Sequence, residues 1–182
     1  MILLARHGET ADNVPPARVM GRRDPPLTER GRGQARVLAR VVGGEGVRAL
    51  YTSNLRRARE TAEIVGEALG LELSVDPRLA ESHRGRWEGR LMRDVEREEP
   101  GTWRAWLRAG NGFRFPGGES LRDHLSRVAA ALDDVAAGPL PALVVCHGGT
   151  IRCAFAARDD RGLEAFHELD VPNAVPLRLE CR

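Results

Sequence analysis

Leu143-Val144-Val145-Cys146-His147-Gly148-Gly149 and Leu3-Leu4-Ala5-Arg6-His7-Gly8 share one pattern: a short apolar run, then His-Gly, then polar residues. An apolar run that stops so abruptly fits a strand buried on both faces. Between these two segments the pattern alternates. Thr28 caps a predicted helix whose inner face carries Ala35, Leu38, Val41 and Val42, and Gly43-Gly44-Glu45-Gly46 stops it. Residues 47–52 read as a strand, and Ala58, Ala62, Val65 and Leu69 mark a helix closed by Gly70. Leu71, Leu73 and Val75 alternate as a third strand. A weakly patterned stretch follows, with helical pieces around Val95 and Trp103-Trp106-Leu107. Leu121, Leu125, Val128, Leu132 and Val135 then line one face of the clearest helix. Residues 142–146 form a buried strand, 151–157 a helix, and Val175, Leu177 and Leu179 a last alternating strand. Strands alternating with helices predict an α/β fold, with a mostly parallel mixed sheet covered by helices on both faces. Residues 1–182 form a single domain in this reading, with 90–118 as a cap-like insertion.

Composition removes several function classes. Lys plus Arg number 28 against 26 acidic residues, and the two signs are interleaved, so no basic stripe points to a nucleic-acid partner. No apolar run approaches the roughly 18 residues of a membrane span, and Arg6-His7 interrupts the opening run too early for a signal peptide. All the basic residues are Arg; the absence of Lys excludes a lysine Schiff base and a Walker-type P-loop. Cys146, Cys153 and Cys181 form no CxxC pair, which predicts reduced thiols and a cytoplasmic location.

Ligands of parallel sheets bind beyond the carboxyl ends of the strands. If the two His-Gly strands are neighbours, His7 and His147 enter one crevice, and Gly148 and Gly149 bring backbone amides to it at a helix start, an arrangement that attracts an anion. A lone histidine at a strand end is more often a satisfied polar residue; the matching contexts raise these two above that reading. His83, His124 and His167 lack such a setting, and His124 is expected at the surface or rim of its helix. Ser53-Asn54-Leu55-Arg56-Arg57 follows the second strand and opens a helix, from which Arg57 can offer phosphate a forked guanidinium. No HxH or HxxxH spacing presents two ligands from one element, so no metal site is expected. Cys146 points away from the crevice, since neighbouring side chains on a strand alternate.

Arg6-His7-Gly8-Glu9-Thr10 with Asn13 resembles the signature of the histidine phosphatase superfamily, which includes cofactor-dependent phosphoglycerate mutases and many small phosphatases. The similarity continues in order. It passes through Gly21, Asp24, Pro26-Leu27-Thr28-Glu29, Gly31 and Gln34-Ala35, then Ser53, Leu55, Arg57-Ala58 and Thr61-Ala62. Leu79, Glu81, Gly85 and Trp87-Glu88-Gly89 follow, then Gly117-Gly118-Glu119-Ser120 and finally His147-Gly148-Gly149 with Arg152.

The resemblance implies a phosphoglycerate mutase-like fold and a nucleophilic His7 that becomes a phosphohistidine. It implies phosphate contacts from Arg6, Asn13, Arg57 and His147, and a proton donor and acceptor at Glu81. Glu88 reads as structural. No cofactor is implied. An unperturbed imidazole is mostly neutral at pH 7. Arg6, Arg57 and a protonated His147 would compensate the phosphoryl charge, and Glu81 would begin protonated, its pKa raised by burial or phosphate. The expected partner is a small phosphate ester, and the chain a monomer or homodimer. The shortness of the chain favours a metal-independent phosphomonoester hydrolase; the alternatives are phosphoglycerate mutase activity and a noncatalytic phosphate-ligand module on the same fold. Gly21, His83 and Trp103 are candidate substrate contacts. His83 is equally a rim residue, and the ring of Trp103 can simply pack the cap. Arg84 stands where many relatives have an apolar residue, which leaves the leaving-group pocket open.

Overall fold

A computed structural model describes residues 1–108, 110 and 112–180; Cys181 lies outside them. Five strands form one sheet in the order β3-β2-β4-β1-β5, with β1 Ile2–Arg6, β2 Ala49–Thr52, β3 Leu73–Val75, β4 Ala142–Cys146 and β5 Pro176–Leu179. All pairings are parallel except that of β1 with β5. The two His-Gly strands are neighbours, in register from Ile2 opposite Ala142 to Arg6 opposite Cys146.

Both faces of these strands are buried because their residues serve two cores. Leu3, Ala5, Leu143 and Val145 pack under α1 (Glu29–Gly43) and α2 (Arg56–Leu69), against Leu38, Val42, Ala58, Ala62 and Val65. Ile2, Leu4, Val144 and Cys146 face the other way. They meet Leu121, Val128 and Leu132 of α5 (Leu121–Ala137) and Ile151 and Cys153 of α6 (Gly148–Ala156). Cys146 therefore joins the second core, as strand alternation requires. Thr28 caps α1 by accepting the Gly31 amide, and Gly70 ends α2 in the left-handed conformation.

Several boundaries move inward: β2 starts at Ala49, β3 at Leu73 and β5 at Pro176, while α6 starts three residues earlier than its apolar pattern. Val41 is half exposed, because the buried stripe of α1 runs through Ala35, Leu38, Ala39 and Val42. His124 is fully buried, not at the rim. Its Nε2 meets the Thr150 hydroxyl at 3.2 Å across the α5–α6 contact.

Before α5 come the short helices α3 (Met92–Glu98) and α4 (Pro100–Arg108), and α4 adds Trp103 and Trp106 to an aromatic cluster. Trp87 meets Trp103, Trp106, Phe113 and Phe115 at ring centroids 5.7–6.2 Å apart. Among the described residues no helix is long and apolar enough to cross a membrane.

Candidate active site

Three adjacent strands end at one place. The His7 amide donates to Cys146 O at 3.0 Å and the Ser53 amide to Val145 O at 3.2 Å, so His7, Ser53 and His147 leave β1, β2 and β4 side by side. The rings of His7 and His147 lie 5.3 Å apart, and both residues are buried. Close backbone packing helps to hold this edge: a Cβ on Gly8 would overlap the carbonyl of Gly31 at the start of α1.

His7 Nδ1 lies 2.7 Å from Gly8 O, an acceptor only, so Nδ1 carries the proton and Nε2 the lone pair. Arg57 donates its Nε–H to that Nε2 at 3.1 Å. The same guanidinium is pinned by Arg23 O (2.7 Å), Gly21 O (2.9 Å) and Asp24 (3.1 Å). Gly21 thus shapes the site through its carbonyl, from behind Arg57. Burial, then the charges of Arg57 and Arg6, hold His7 well below its ordinary pKa. His147 is depressed in the same way, by burial, Arg57 and His7. Both imidazoles are therefore neutral at pH 7, which corrects the expectation of a protonated His147 in the free protein.

Ser53, which the sequence left without a role, holds His147: Leu55 N–H donates to Ser53 Oγ at 3.1 Å, and the hydroxyl stands 2.8 Å from His147 Nε2. With the hydroxyl proton on that Nε2, the His147 proton sits on Nδ1, which is buried without a partner among the described residues, as is Arg6 Nε. Unsatisfied buried donors cost about 1–3 kcal/mol each, a cost that a phosphate oxygen removes. Burial brings Arg6 down to about 10, Arg152, Arg84 and Arg57 adding to the shift against Glu81, so it stays charged at neutral pH.

Glu81 follows the 3-10 turn Pro77–Leu79 and is almost completely buried. Gly149 N–H donates to its Oε2 at 3.0 Å and Ser82 N–H to its Oε1 at 2.9 Å, with Arg84 3.6 Å away. Burial alone would raise its pKa. Arg84, His124 and the two amides outweigh burial and hold the carboxyl well below the usual carboxylate range. Glu81 is thus ionised in the free protein, opposite to the sequence-based expectation. The Gly149 amide serves this internal carboxylate, which the sequence also did not foresee. From α5, Arg127 donates to the carbonyls of Arg78 (2.6 Å), Ala80 (2.7 Å) and Glu81 (3.2 Å) and pairs with Glu119, fixing the backbone that presents Glu81.

The cleft above these groups has a volume of about 290 Å³. Arg6, His7, Asn13, Glu81 and Gly148 line it, together with Arg18, Arg84, Trp106, Arg152 and Val171. Asn13 donates to Asn173 Oδ1 at 3.1 Å, and Asn173 in turn donates to His7 O at 2.7 Å. Arg6 Nη1 donates to Val171 O at 3.2 Å. Val171 and Asn173 lie in a segment without periodicity, so nothing in the sequence marked them. Two candidate contacts fall elsewhere: the Trp103 ring lies 4.7 Å from that of Trp106, tilted by 56°, in the aromatic cluster, and His83 is half exposed near Glu88. Glu88 accepts the amides of Arg22 and Arg84, a structural role. Among the described residues no group of three or more His, Cys, Asp or Glu is placed to hold a metal ion.

The family model described as histidine phosphatase superfamily (branch 1) matches residues 2–182. A protein of Photorhabdus laumondii named probable phosphoglycerate mutase is 39% identical over 155 residues, 84% of this chain and 71% of that protein. One of the same name from Serratia proteamaculans is 38% identical over 171 residues, covering 92% and 77%. Among solved structures, a mycobacterial glucosyl-3-phosphoglycerate phosphatase complexed with VO3 superimposes with a TM-score of 0.87 at 33% identity, over 96% of this chain and 88% of that one. A putative alpha-ribazole-5'-P phosphatase of Escherichia coli gives 0.82 at 28%, over 96% and 87%.

Proposed function

Given that the chain belongs to the histidine phosphatase superfamily, we propose that it is a metal-independent phosphomonoester hydrolase that works through a phosphohistidine at His7. One observation carries this reading: a neutral imidazole with its lone pair on Nε2 stands beside His147, Arg6 and Arg57, in a cleft that also contains Glu81. In-line phosphoryl transfer needs positioning and compensation of the equatorial oxygens. The guanidinium groups of Arg6 and Arg57 and the Nδ1–H of His147 can supply that compensation without a metal, and Asn13 and the Gly148 backbone border the same space.

Because Glu81 is ionised before substrate arrives, its proton comes with the substrate. A phosphomonoester has a second pKa of about 6, and its monoanion hands that proton to Glu81 as the phosphate settles among the arginines. Nε2 of His7 then attacks phosphorus while the ester P–O bond breaks, and Glu81 returns the proton to the leaving oxygen. Water attacks the phosphohistidine next; the N–P bond breaks, Glu81 takes the water proton, and phosphate leaves with it. Arg57 Nε–H, freed from the His7 lone pair, bonds the transferring group.

Residues 90–118 act as a cap in this reading, reaching the cleft through Met92 and Trp106. The free, buried thiols of Cys146 and Cys153 fit a cytoplasmic setting. The names of the two bacterial relatives favour a competing reading, mutase activity on phosphoglycerate. Assaying a panel of phosphate esters with and without chelator separates the two. Chelator-insensitive release of inorganic phosphate is expected; isomerised phosphoglycerate with little free phosphate would select the mutase.

A further inference from the structure

His124 has no part in the chemistry above. It falls in the apolar stripe of α5, three residues after Leu121 and four before Val128, where an apolar side chain would be buried without a polar cost. Its ring is completely buried. Among the described residues its one hydrogen bond joins Nε2 and the Thr150 hydroxyl at 3.2 Å, while Nδ1 is left without a partner. A position that packing alone would give to a leucine therefore carries an imidazole with a single polar contact.

That contact reaches the two segments that hold Glu81. The buried Thr150 hydroxyl donates to Leu79 O at 3.3 Å and Ala80 O at 3.2 Å, the carbonyls just ahead of Glu81. Thr150 also follows Gly149, whose amide holds the Glu81 carboxylate. With the hydroxyl proton on these carbonyls, which can only accept, the Thr150 oxygen accepts Nε2–H from His124. Arg127, three residues on along the same face of α5, donates directly to Ala80 O and Glu81 O. Helix α5 thus reaches the Glu81 segment twice, once through Arg127 and once through the His124–Thr150 pair.

We propose that His124 is a positioning residue for Glu81: by donating to Thr150 it fixes residues 79–81 against the start of α6, so that the carboxyl group stays aimed at the leaving oxygen. This rests on reading Glu81 as the proton donor and acceptor of a phosphomonoester hydrolase, and it adds what keeps that group in place. A catalytic group displaced by about 1 Å loses about a hundredfold in rate, and losing one of several ties should cost about tenfold.

The test is kcat/KM of the full chain on two esters, ethyl phosphate and p-nitrophenyl phosphate. Ethoxide needs a proton as it leaves, whereas nitrophenolate leaves with little help from an acid. His124→Leu should therefore lower kcat/KM about tenfold for ethyl phosphate and less than about threefold for p-nitrophenyl phosphate. His124→Gln, which keeps an N–H donor where Nε2 stands, should recover most of the loss. Thr150→Val breaks the same tie from the other side and should reproduce the leaving-group dependence, so the test stands even where the leucine variant does not fold. The double variant should lose no more than the worse single one, as expected of two residues that act through one contact. Equal losses on both esters, a glutamine variant as poor as the leucine one, or fully additive losses would each overturn the inference and leave the hydrolase reading intact. An unmodified protein that hydrolyses neither ester would overturn the hydrolase reading and this inference with it.

Discussion

Replacing Gly149 by alanine puts a methyl group where the Glu81 carboxylate lies. The new Cβ would overlap Oε1 and stand 3.0 Å from Cδ and 3.2 Å from Oε2, so the carboxylate must move off the amide that now donates to it at 3.0 Å. Two terms oppose each other. Gly149 is the second residue of α6, and alanine is worth up to about 1 kcal/mol over glycine in a helix interior. Losing a hydrogen bond to a buried charge costs about 1.5–3 kcal/mol, and crowding adds a cost of about 1–3 kcal/mol where the site cannot relax. The crowding and the lost bond win, and the variant should be about 1.5–5 kcal/mol less stable in urea unfolding. Activity should fall further, because a catalytic group displaced by about 1 Å loses about a hundredfold in rate. Urea unfolding and kcat on one phosphate ester measure both effects. A Gly149→Ala protein that is about 1 kcal/mol more stable, as helix propensity alone predicts, and equally active would refute the docking of Glu81 on this amide.

Stability should fall as pH drops from 7 towards 4. His7, His124 and His147 have folded pKa values below their unfolded ones, so between the two the unfolded state binds more protons and acid favours it. His124, brought down to about 4 by burial, contributes roughly 3 kcal/mol above pH 6.5 that is lost by pH 4. Glu81 has the same sign in a lower window, its contribution disappearing as pH falls below the ordinary carboxylate range. A urea midpoint unchanged between pH 7 and 5 would contradict the buried neutral histidines. In turnover, kcat/KM should decline above about pH 6 and track the second pKa of each substrate's phosphate, since that proton charges Glu81; a decline at one pH for esters of different acidity would show that the enzyme holds the proton beforehand. Ser53→Ala removes the partner of His147 Nε2 and should lower kcat about tenfold while leaving urea stability within about 1–3 kcal/mol, with no loss of activity arguing against a tautomer set by Ser53.

The sheet and its two histidines were legible because continuous apolar runs that end in His-Gly reveal both the strand and its end. The parallel pairing of β1 with β4 then brings His7 and His147 together. What stayed hidden depends on partners far away in the chain. His124 looked like a rim residue because its hydroxyl partner, Thr150, comes 26 residues later on another helix. Val41 fitted the helical period, but the stripe that meets the sheet turned towards Ala39 and Val42. Part of the ionisation of Glu81 lay in its neighbours in sequence, Ser82 and Arg84, but His124 and the Gly149 amide reach it only through α5 and α6. Val171 and Asn173 belong to a loop whose contacts with Arg6, Asn13 and His7 leave no mark on its composition.

The most direct test is to quench the protein during turnover, digest it, and locate the phosphoryl group by mass spectrometry. A base-stable, acid-labile phosphoryl group on the peptide that contains His7, absent from His7→Ala, is the predicted result. Sustained phosphate release with no phosphohistidine, or undiminished turnover by His7→Ala, would contradict the account.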